Sequence, residues 1–334
     1  VAEFLAGVDA IEAVGHRIVH GGARFDRPVL LTPTITARLR TLTDLAPLHQ
    51  PRSLAAVAAV HRLLPQLPAV GCFDTAFHAT LPPAASTYAL PAGWRRRWGI
   101  RRYGFHGLSH AYAARRAAQL IGTPLDQLRI VTCHLGAGAS ACAVAAGRSV
   151  DTTMGFTPLD GLVMATRSGR VDPGLLIWLQ QHAGLGVSEL ADGLEHQSGL
   201  AGLSGTSGDM RDVLTAADAG DHRATLALQV YVHRLRAAVA EMAASMNGLD
   251  TLVFTGGIGQ HQPVVRSATA SGLQFLGIGV DEPANHSANT DADISSTAAR
   301  VHTLVVTARE DLEIARQVKL VLKPPKPSTP GAPD

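Results

Sequence analysis

The amino-acid sequence predicts an α/β fold with more than one sheet. Segments with the composition of strands alternate with segments that carry an apolar stripe at helical spacing. Two strand-like segments are joined by a glycine turn and predict a hairpin, so the chain mixes hairpins with crossovers. The chain has 334 residues, and 46% of them are hydrophobic. A chain of this length usually divides its apolar residues between more than one hydrophobic core, so two domains are expected.

The first part of the chain contains two predicted strands and two predicted helices. The strands are 13–20, which is followed by a glycine pair, and 69–77, after which Leu-Pro-Pro at 81–83 breaks the pattern. The segment 51–64 predicts a helix, because a proline fits its first turn and alanine, valine and leucine form a stripe. A second helix is expected at 109–120, with Gly107 interrupting helical structure just before it.

The rest of the chain alternates in the same way. Its predicted strands are 129–135, 140–145, 250–255 and 301–306, and its predicted helices are 172–182, 224–247, 310–321 and one that starts at Pro263. The first two of these strands flank the glycine turn 136–138 and form the predicted hairpin. The proline-rich segment 323–334 is expected to be disordered.

Charge and cysteine content argue against several classes of protein. Lysine and arginine number 29 and aspartate and glutamate 27, so the net charge is +2 and no basic face for nucleic acid is expected. Arginine clusters at 95–97 and 101–102 suit a rim for an anionic substrate. Three cysteines without a CxxC pair indicate reduced thiols and a cytoplasmic protein. The sequence contains neither an apolar run of membrane-spanning length nor a signal-peptide pattern, so no membrane partner is expected.

Lysine usage restricts how this chain can handle phosphate. The three lysines lie near the C-terminus, at Lys319, Lys323 and Lys326, and no GxxxxGK[ST] motif is present. A P-loop is therefore excluded. A phosphate site in this chain must use arginines, histidines, backbone amides and a metal ion.

Two glycine-rich turns are candidate phosphate sites. The turn within 134–140 joins two predicted strands, and its glycines allow backbone N–H groups to close on a phosphate. The turn within 254–259 joins a strand to a helix, where an anion can bind at the helix N-terminus. Considered alone, the first suits a plain hairpin turn and the second a tight strand-to-helix turn equally well.

Several polar residues lie near glycines or strand ends and are candidates for the chemistry. Arg17, Asp74 and Arg167 have glycine and apolar neighbours that are unusual around surface ion pairs. His106 and His110 are four residues apart, a spacing that can bind zinc on a helix. No third ligand is evident in the sequence, and a core or capping role for His110 is favoured over zinc.

A series of long motifs carries a resemblance to one family. The chain resembles the acetate kinases of the acetokinase family, within the superfamily of sugar kinases, heat-shock chaperones and actin. The resemblance extends to about Leu322. The matching segments are VGHRIVHGG, LAPLHQP, FDTAFHATLP, RRYGFHGLSH, HLGAGAS, MGFTPLDGLVMATRSG, SGTSGDMRD, FTGGIG and AREDLEIAR.

The resemblance implies a duplicated ribonuclease-H-like architecture, the actin-like ATPase fold. One domain would combine residues 1–77 with 310–322, and the other would be 78–309, followed by the tail 323–334. A central cleft would hold ATP. The family's reaction is reversible phosphoryl transfer from ATP to acetate, which gives acetyl phosphate and ADP. A cytoplasmic homodimer is implied, with no nucleic-acid partner.

The resemblance also implies roles for individual residues. Arg17 and Arg167 would hold the carboxylate and the transferring phosphoryl group, and His106 would donate to that group in the transition state. Asp74 matches the family's catalytic acid, but a carboxylate substrate is already ionised, so we expect Asp74 to position a metal or an arginine. Glu310 would hold Mg²⁺ or Mn²⁺. The acetate pocket would be formed by Val19, Leu48, Phe105 and Pro158, and ATP would be contacted by His134, Leu135, Gly136, Ala137, Gly138, Asp209, Met210, Arg211, Gly257, Ile258, Gly259, Gln260 and His261.

The chain departs from the family pattern at several positions. The family's N-terminal hairpin, with an asparagine for the metal and a lysine for the phosphates, has no counterpart in this sequence. Ala137 replaces an asparagine, Gln260-His261 replaces Glu-Asn, Arg170 replaces an aspartate, and Gln50 also replaces an asparagine. A start upstream of Val1, a degenerate copy and a fragment would each explain the first difference.

These departures leave three interpretations of the function open. The chain is expected to be an acetate kinase, a propionate or butyrate kinase, or an inactive nucleotide-binding homologue. Without the family's lysine and asparagine, residues 1–334 by themselves are expected to turn over little, because a preorganised donor is typically worth on the order of 3 kcal/mol.

Overall fold

The computed structural model describes residues 11–46 and 49–323. The chain forms two compact units, one containing the described residues up to Ala76 and from Arg309 onwards, the other containing Phe77–Ala308. Each unit has its own sheet, which confirms the predicted α/β class with more than one sheet. Among the described residues, no helix is both long and apolar enough to cross a bilayer.

The first unit has a three-stranded sheet in the order β1–β3–β2. Strands β1 (Val14–Ile18) and β3 (Ala69–Phe73) are parallel, and β2 (Val29–Leu30) pairs antiparallel with β3. Its helices are Pro33–Arg40, Gln50–Leu63 and Glu310–Leu322. Because β1 and β3 are parallel, their carboxyl ends lie at the same edge of the sheet.

The second unit has a six-stranded mixed sheet in the order β6–β5–β4–β7–β9–β8. Its strands are β4 (Arg129–Leu135), β5 (Ala139–Ala145), β6 (Arg148–Thr152), β7 (Thr251–Thr255), β8 (Ala292–Asp293) and β9 (His302–Val305). Strands β4 and β5 form the predicted antiparallel hairpin, and β4, β7 and β9 run parallel.

The second unit also contains eleven described α-helices. They are Pro83–Ser86, Ala92–Trp98, Gly107–Ile121, Pro173–His182, Val187–His196, Gly199–Ser204, Met210–Asp218, His222–Ala244, Gly256–His261, Pro263–Ser271 and Glu282–Ser287. An alanine-rich face of Gly107–Ile121 packs with apolar residues of the sheet in a buried core. This packing places the N-terminus of the helix beside the β4–β5 hairpin, where Ser109 contacts His134.

Three details of the sequence prediction are wrong. The strand predicted at 69–77 ends at Phe73, because the chain turns at Asp74 and continues as the short 3₁₀ helix Ala76–Thr80. Gly107 begins a helix instead of interrupting one, because His106 before it takes a left-handed backbone with φ of 56°. The turn after β7 is itself the helix Gly256–His261, with the left-handed Gly256 packed closely on Leu135.

The other predicted elements are present, with ends that differ by a few residues. The long helix starts at His222, where the Asp221 carboxylate accepts hydrogen bonds from two backbone amides, and ends at Ala244. Lys323 follows the last helix, and the rest of the tail expected to be disordered, 324–334, lies outside the described residues.

Candidate active site

Arg17, Asp74 and Glu310 form a charged cluster in the first unit. Arg17 lies in β1, and Asp74 follows β3 directly, so the parallel pairing brings the two side chains to one edge of the sheet. Arg17 donates from Nε to Asp74 Oδ1 at 3.0 Å and from Nη2 to Oδ2 at 2.7 Å. Glu310, the first residue of the C-terminal helix, brings Oε2 to 3.7 Å from Arg17 Nε.

Burial makes this cluster electrostatically strong. The Asp74 side chain is 2% exposed, whereas that of Arg17 is 44% exposed, so the carboxylate is enclosed and the guanidinium reaches solvent. The negative charge of Asp74, with a smaller contribution from Glu310, raises the pKa of Arg17 above its ordinary value. The cluster therefore presents a fixed, permanently cationic arginine, the type of group that binds carboxylates and phosphates.

In the second unit, the β4–β5 hairpin brings His106 and Arg167 together. A methyl group placed on Gly138 would lie 2.7 Å from Arg167 Nη2 and 3.3 Å from His106 Nε2, so both side chains lie against this glycine. Arg167 is held by a 2.7 Å hydrogen bond from Nη1 to the carbonyl oxygen of Pro158. Burial lowers the pKa of Arg167 from its ordinary value, which still leaves the group cationic near neutral pH.

Histidines and hydroxyls surround His106. Its Nδ1 lies 2.8 Å from Ser140 Oγ, and its ring centroid lies 4.4 Å from that of His134. His110 is fully buried, and its two ring nitrogens contact Thr132 and Ser140. A core role for His110 accounts for these contacts. Within the described ranges, no group of three or more potential metal ligands is found.

A pocket of about 390 Å³ lies in the second unit. Three separate segments that the resemblance assigns to ATP meet there: the hairpin turn, the start of Met210–Asp218, and Gly256–His261. The lining residues are Gly136, Ala137, Ala165, Gly208, Asp209, Met210, Arg211, Gly257, Ile258, His261 and Gln262. The pocket thus joins the two glycine turns, which are more than a hundred residues apart in the sequence.

Not every residue assigned to ATP lines this pocket. His134, Leu135, Gly138, Gly259 and Gln260 lie next to it in the chain but outside its wall. Leu135 and Gly259 are buried. The Gln260 side chain turns away and donates to the carbonyl oxygen of Asn289.

Ala165, Gly208 and Gln262 also line the pocket but were not predicted as site residues. Gly208 had a usable signal, since it directly precedes Asp209 in a glycine-rich segment. It has a left-handed φ of +82° and packs against the backbone of Ala165. Asp209 caps the next helix and pairs with Arg211, whose hydrogen bonds lower the pKa of Asp209 to about 2.

The residues assigned to the acetate pocket have different environments. Val19 follows β1 in the first unit and is half-buried. Phe105 is buried in the second unit, where its carbonyl oxygen contacts His78 Nε2 at 2.9 Å, and Pro158 supplies the carbonyl that holds Arg167. Leu48 lies outside the described residues.

Two of the departures from the family pattern have structural explanations. Arg170 is exposed, and it pairs with Glu241 at 3.3 Å. Gln50 is fully buried and donates to the carbonyl oxygens of His20 and Leu39, so it connects three segments of the first unit.

Comparison with known proteins identifies the family. The model of the acetokinase family matches residues 3–316. The chain belongs to the acetokinase family. An acetate kinase of Synechococcus sp. (strain JA-2-3B'a(2-13)) is 49% identical over 313 residues, which are 94% of this chain and 77% of that protein.

Two solved structures have the same fold. A crystal structure of Porphyromonas gingivalis acetate kinase matches with a TM-score of 0.91 at 40% identity, covering 96% of this chain and 84% of that one. A propionate kinase from Francisella tularensis subsp. tularensis SCHU S4 matches with a TM-score of 0.89 at 38% identity, covering 95% and 82%. The predicted actin-like ATPase fold is therefore confirmed for this acetokinase-family chain.

Proposed function

We propose that this protein catalyses reversible phosphoryl transfer from ATP to acetate. One structural relationship carries the proposal. The β4–β5 turn lines the 390 Å³ pocket with Gly136 and Ala137, and its next residue, Gly138, contacts His106 and Arg167. A nucleotide bound in that pocket would have its phosphates close to a cation and an imidazole, which are the groups that phosphoryl transfer requires.

The chemistry suits the side chains that are present. Acetate is already ionised near neutral pH and needs no general base, but it must approach an anionic phosphoryl group. Arg17 and Arg167 are the proposed carriers of positive charge for the carboxylate and the phosphoryl group. His106 is the proposed hydrogen-bond donor to the oxygens that gain charge in the transition state. Asp74 is the proposed positioning residue for Arg17, since it binds that guanidinium through two hydrogen bonds.

Mg²⁺ is the proposed metal, with Mn²⁺ as a substitute. The first unit offers carboxylate oxygens from Glu310 and Asp74 on either side of Arg17. This donor set fits Mg²⁺, which commonly takes one or two protein carboxylates together with substrate phosphates and water. Glu310 is the better candidate, because both Asp74 oxygens already accept from Arg17. When bound, the metal would neutralise charge on the nucleotide phosphates.

The test is an assay with ATP, Mg²⁺ and acetate that traps acetyl phosphate as the hydroxamate. It uses the full-length protein, meaning here residues 1–334 preceded by the N-terminal hairpin of the acetokinase family. Wild-type protein should form the product, and Arg167→Ala should reduce kcat by about a hundredfold or more. Arg170→Ala, three residues away and paired with Glu241 on the surface, is the matched control and should retain activity. Binding of ATP by calorimetry without any transfer to a carboxylate would favour an inactive nucleotide-binding homologue instead.

The choice of carboxylate is a separate question, because a propionate kinase matches this chain almost as well as an acetate kinase does. We favour acetate, since Val19 is β-branched and would narrow a methyl-sized pocket. Val19→Ala should shift the kcat/KM ratio toward propionate by about tenfold, the usual effect of one methylene. Val14→Ala, at the other end of β1, is the control and should leave the ratio unchanged. An unchanged ratio in Val19→Ala would remove Val19 from the pocket.

A homodimer is the proposed assembly, in the cytoplasm, where ATP is available. The helix Pro173–His182 has no buried residue, and its apolar side chains, including Trp178 at 53% exposure, face solvent within one chain. Exposed apolar surface of this kind commonly marks a protein interface. Light scattering should give twice the chain mass, and Trp178→Glu should halve it. A wild-type monomer at micromolar concentration would contradict the proposal.

A further inference from the structure

A line of hydrogen-bonding side chains runs from the sheet of the second unit to His106. Thr132 Oγ1 lies 2.7 Å from His110 Nδ1, and His110 Nε2 lies 2.8 Å from Ser140 Oγ. The same Ser140 Oγ lies 2.8 Å from His106 Nδ1. Thr132, His110 and Ser140 are all fully buried, so bulk solvent does not reach their polar atoms.

The number of protons in this line is limited. Burial lowers the pKa of His110 well below its ordinary value, assisted by the neighbouring His78 and His134, so its ring is neutral and carries one N–H. Each hydroxyl also supplies a single hydrogen. Every contact in the line needs one donor and one acceptor, so the hydrogen bonds can point toward His106 or away from it.

The two directions are not equivalent at Thr132. In the described part of the chain, the Thr132 hydroxyl has one hydrogen-bond partner, His110 Nδ1. If the bonds pointed away from His106, His110 Nδ1 would donate to Thr132, and the Thr132 hydrogen would be buried with no acceptor. Leaving a buried donor unpaired costs the desolvation penalty of that group. Thr251 bears this cost because no acceptor among the described residues is within reach of its hydroxyl, whereas Thr132 avoids it by donating to His110. If they point toward His106, Thr132 donates to His110, His110 donates to Ser140, and Ser140 donates to His106 Nδ1.

We infer that Thr132, His110 and Ser140 are positioning residues that hold His106 as the tautomer with its hydrogen on Nε2. The inference rests on the proposed function in assigning His106 to the phosphoryl group. His106 Nδ1 accepts from Ser140, so the hydrogen of a neutral ring is on Nε2, the atom that lies against Gly138 near Arg167. A neutral His106 can then donate a hydrogen bond to the phosphoryl oxygens without first taking up a proton.

The tautomer can be measured on the wild-type protein without any assay of activity. Long-range ¹H–¹⁵N correlation spectra of full-length protein labelled with ¹⁵N-histidine distinguish protonated from unprotonated ring nitrogens. Loss of a signal in His106→Asn assigns the resonances. We expect His106 to show protonated Nε2 and unprotonated Nδ1 at pH 7.5. The reverse pattern would overturn the inference, whether or not the protein proves to be an acetate kinase.

Substitutions at Thr132 test whether the line matters to the reaction. Thr132→Val keeps the shape of the side chain but removes the first donor, so His106 should become a mixture of tautomers. The kcat should then fall by about tenfold, which is less than the loss expected when a preorganised donor is removed completely. KM for ATP and acetate should change by less than about twofold, because the substitution removes no contact that is made to either substrate in the ground state. Thr132→Ser retains the hydroxyl and should recover both the tautomer and kcat.

The matched control lies on the neighbouring strand. Thr251 in β7 is equally buried, but its hydroxyl has no hydrogen-bond partner among the described residues. Thr251→Val should therefore leave both the His106 signals and kcat unchanged. A Thr132→Val protein with wild-type tautomer and kcat would overturn the inference, as would a Thr132→Ser protein that is damaged as much as Thr132→Val.

Discussion

Asp74 binds Arg17 through two parallel hydrogen bonds, although 57 residues separate them in the sequence. The pair forms where two parallel strands end, and the carboxylate is enclosed while the guanidinium reaches solvent. Among the residues that the structure describes, Arg129 and Asp250 form a pair of the same geometry, with contacts of 3.0 and 2.7 Å. Neither pair lines the 390 Å³ pocket. The Arg129–Asp250 pair has no proposed role in the reaction, so it provides an internal control.

Asp74→Asn in the full-length protein should reduce kcat/KM for acetate by about a hundredfold, because Arg17 loses its charged partner and its fixed orientation. Asp250→Asn should change kcat/KM by less than about twofold, since it breaks a partly exposed pair outside the pocket. Hydroxamate trapping measures both. Equal losses in the two variants would show that the effect of Asp74 is one of general stability and not of positioning.

Gly138→Ala should reduce kcat, because the added methyl group would lie 2.7 Å from Arg167 Nη2 and displace that group or His106. We expect a loss of about tenfold to a hundredfold, as for other small displacements of reacting groups. Gly136→Ala, in the same turn, meets its nearest neighbour at 3.5 Å and should be tolerated. Steady-state kinetics at saturating ATP compare the two, and a Gly138→Ala enzyme with normal kcat would contradict this placement of Arg167.

Ala137→Asn should tighten ATP binding, since Ala137 is exposed on the pocket wall and an amide there adds a donor for a phosphate. One new hydrogen bond is typically worth about 1 kcal/mol, which corresponds to a Kd about fivefold lower. Ala137→Leu has nearly the same shape without the donor and serves as the control. Calorimetric titration with ATP should give a lower Kd for Ala137→Asn than for Ala137→Leu or the wild-type protein. If Leu tightens binding as much as Asn does, the gain comes from contact area.

The free energy of unfolding should fall as the pH is lowered below neutrality. Burial lowers the pKa of His20 and of His78 from 6.5 to about 4, so the unfolded chain binds protons that the folded chain excludes. The free energy of unfolding should therefore be greatest above pH 6.5 and should decline between about pH 6.5 and 4. The slope of this decline should correspond to the uptake of about one proton per buried histidine on unfolding. Urea titrations at several pH values measure this slope.

His78→Gln should reduce that slope by about one proton, even if the variant is less stable overall. Stability that rises as the pH falls through this range would contradict the burial of these histidines as neutral groups.

The sequence was sufficient for elements whose signals are local. The β4–β5 hairpin was predicted from two strand-like segments around a glycine turn, and the structure pairs Leu135 with Ala139 across it. The helix at Pro173–His182 was predicted as well, where a proline in the first turn follows the capping residue Asp172. The exclusion of a P-loop also followed from the sequence alone, because no GxxxxGK[ST] motif is present and the three lysines lie near the C-terminus.

Prediction failed where a contact across the fold overrides local preference. Strand propensity continues past Phe73, yet the strand ends there. The chain then forms the short 3₁₀ helix Ala76–Thr80, in which the buried His78 is hydrogen-bonded to Ser149 and to the carbonyl oxygen of Phe105. Glycine usually weakens a helix, yet Gly107 begins one that packs on the second sheet. Neither outcome can be inferred from the neighbouring residues.

By itself the sequence determined the family, the α/β class and the types of residue available for phosphate and carboxylate. Only the tertiary structure decided their partners. Asp74 meets Arg17 through the parallel pairing of two strands, and Thr132 meets His110 through the packing of a helix on a sheet. The physical reason is that hydrogen bonds and ion pairs act over a few ångströms in space, whereas sequence patterns report only the spacing along the chain.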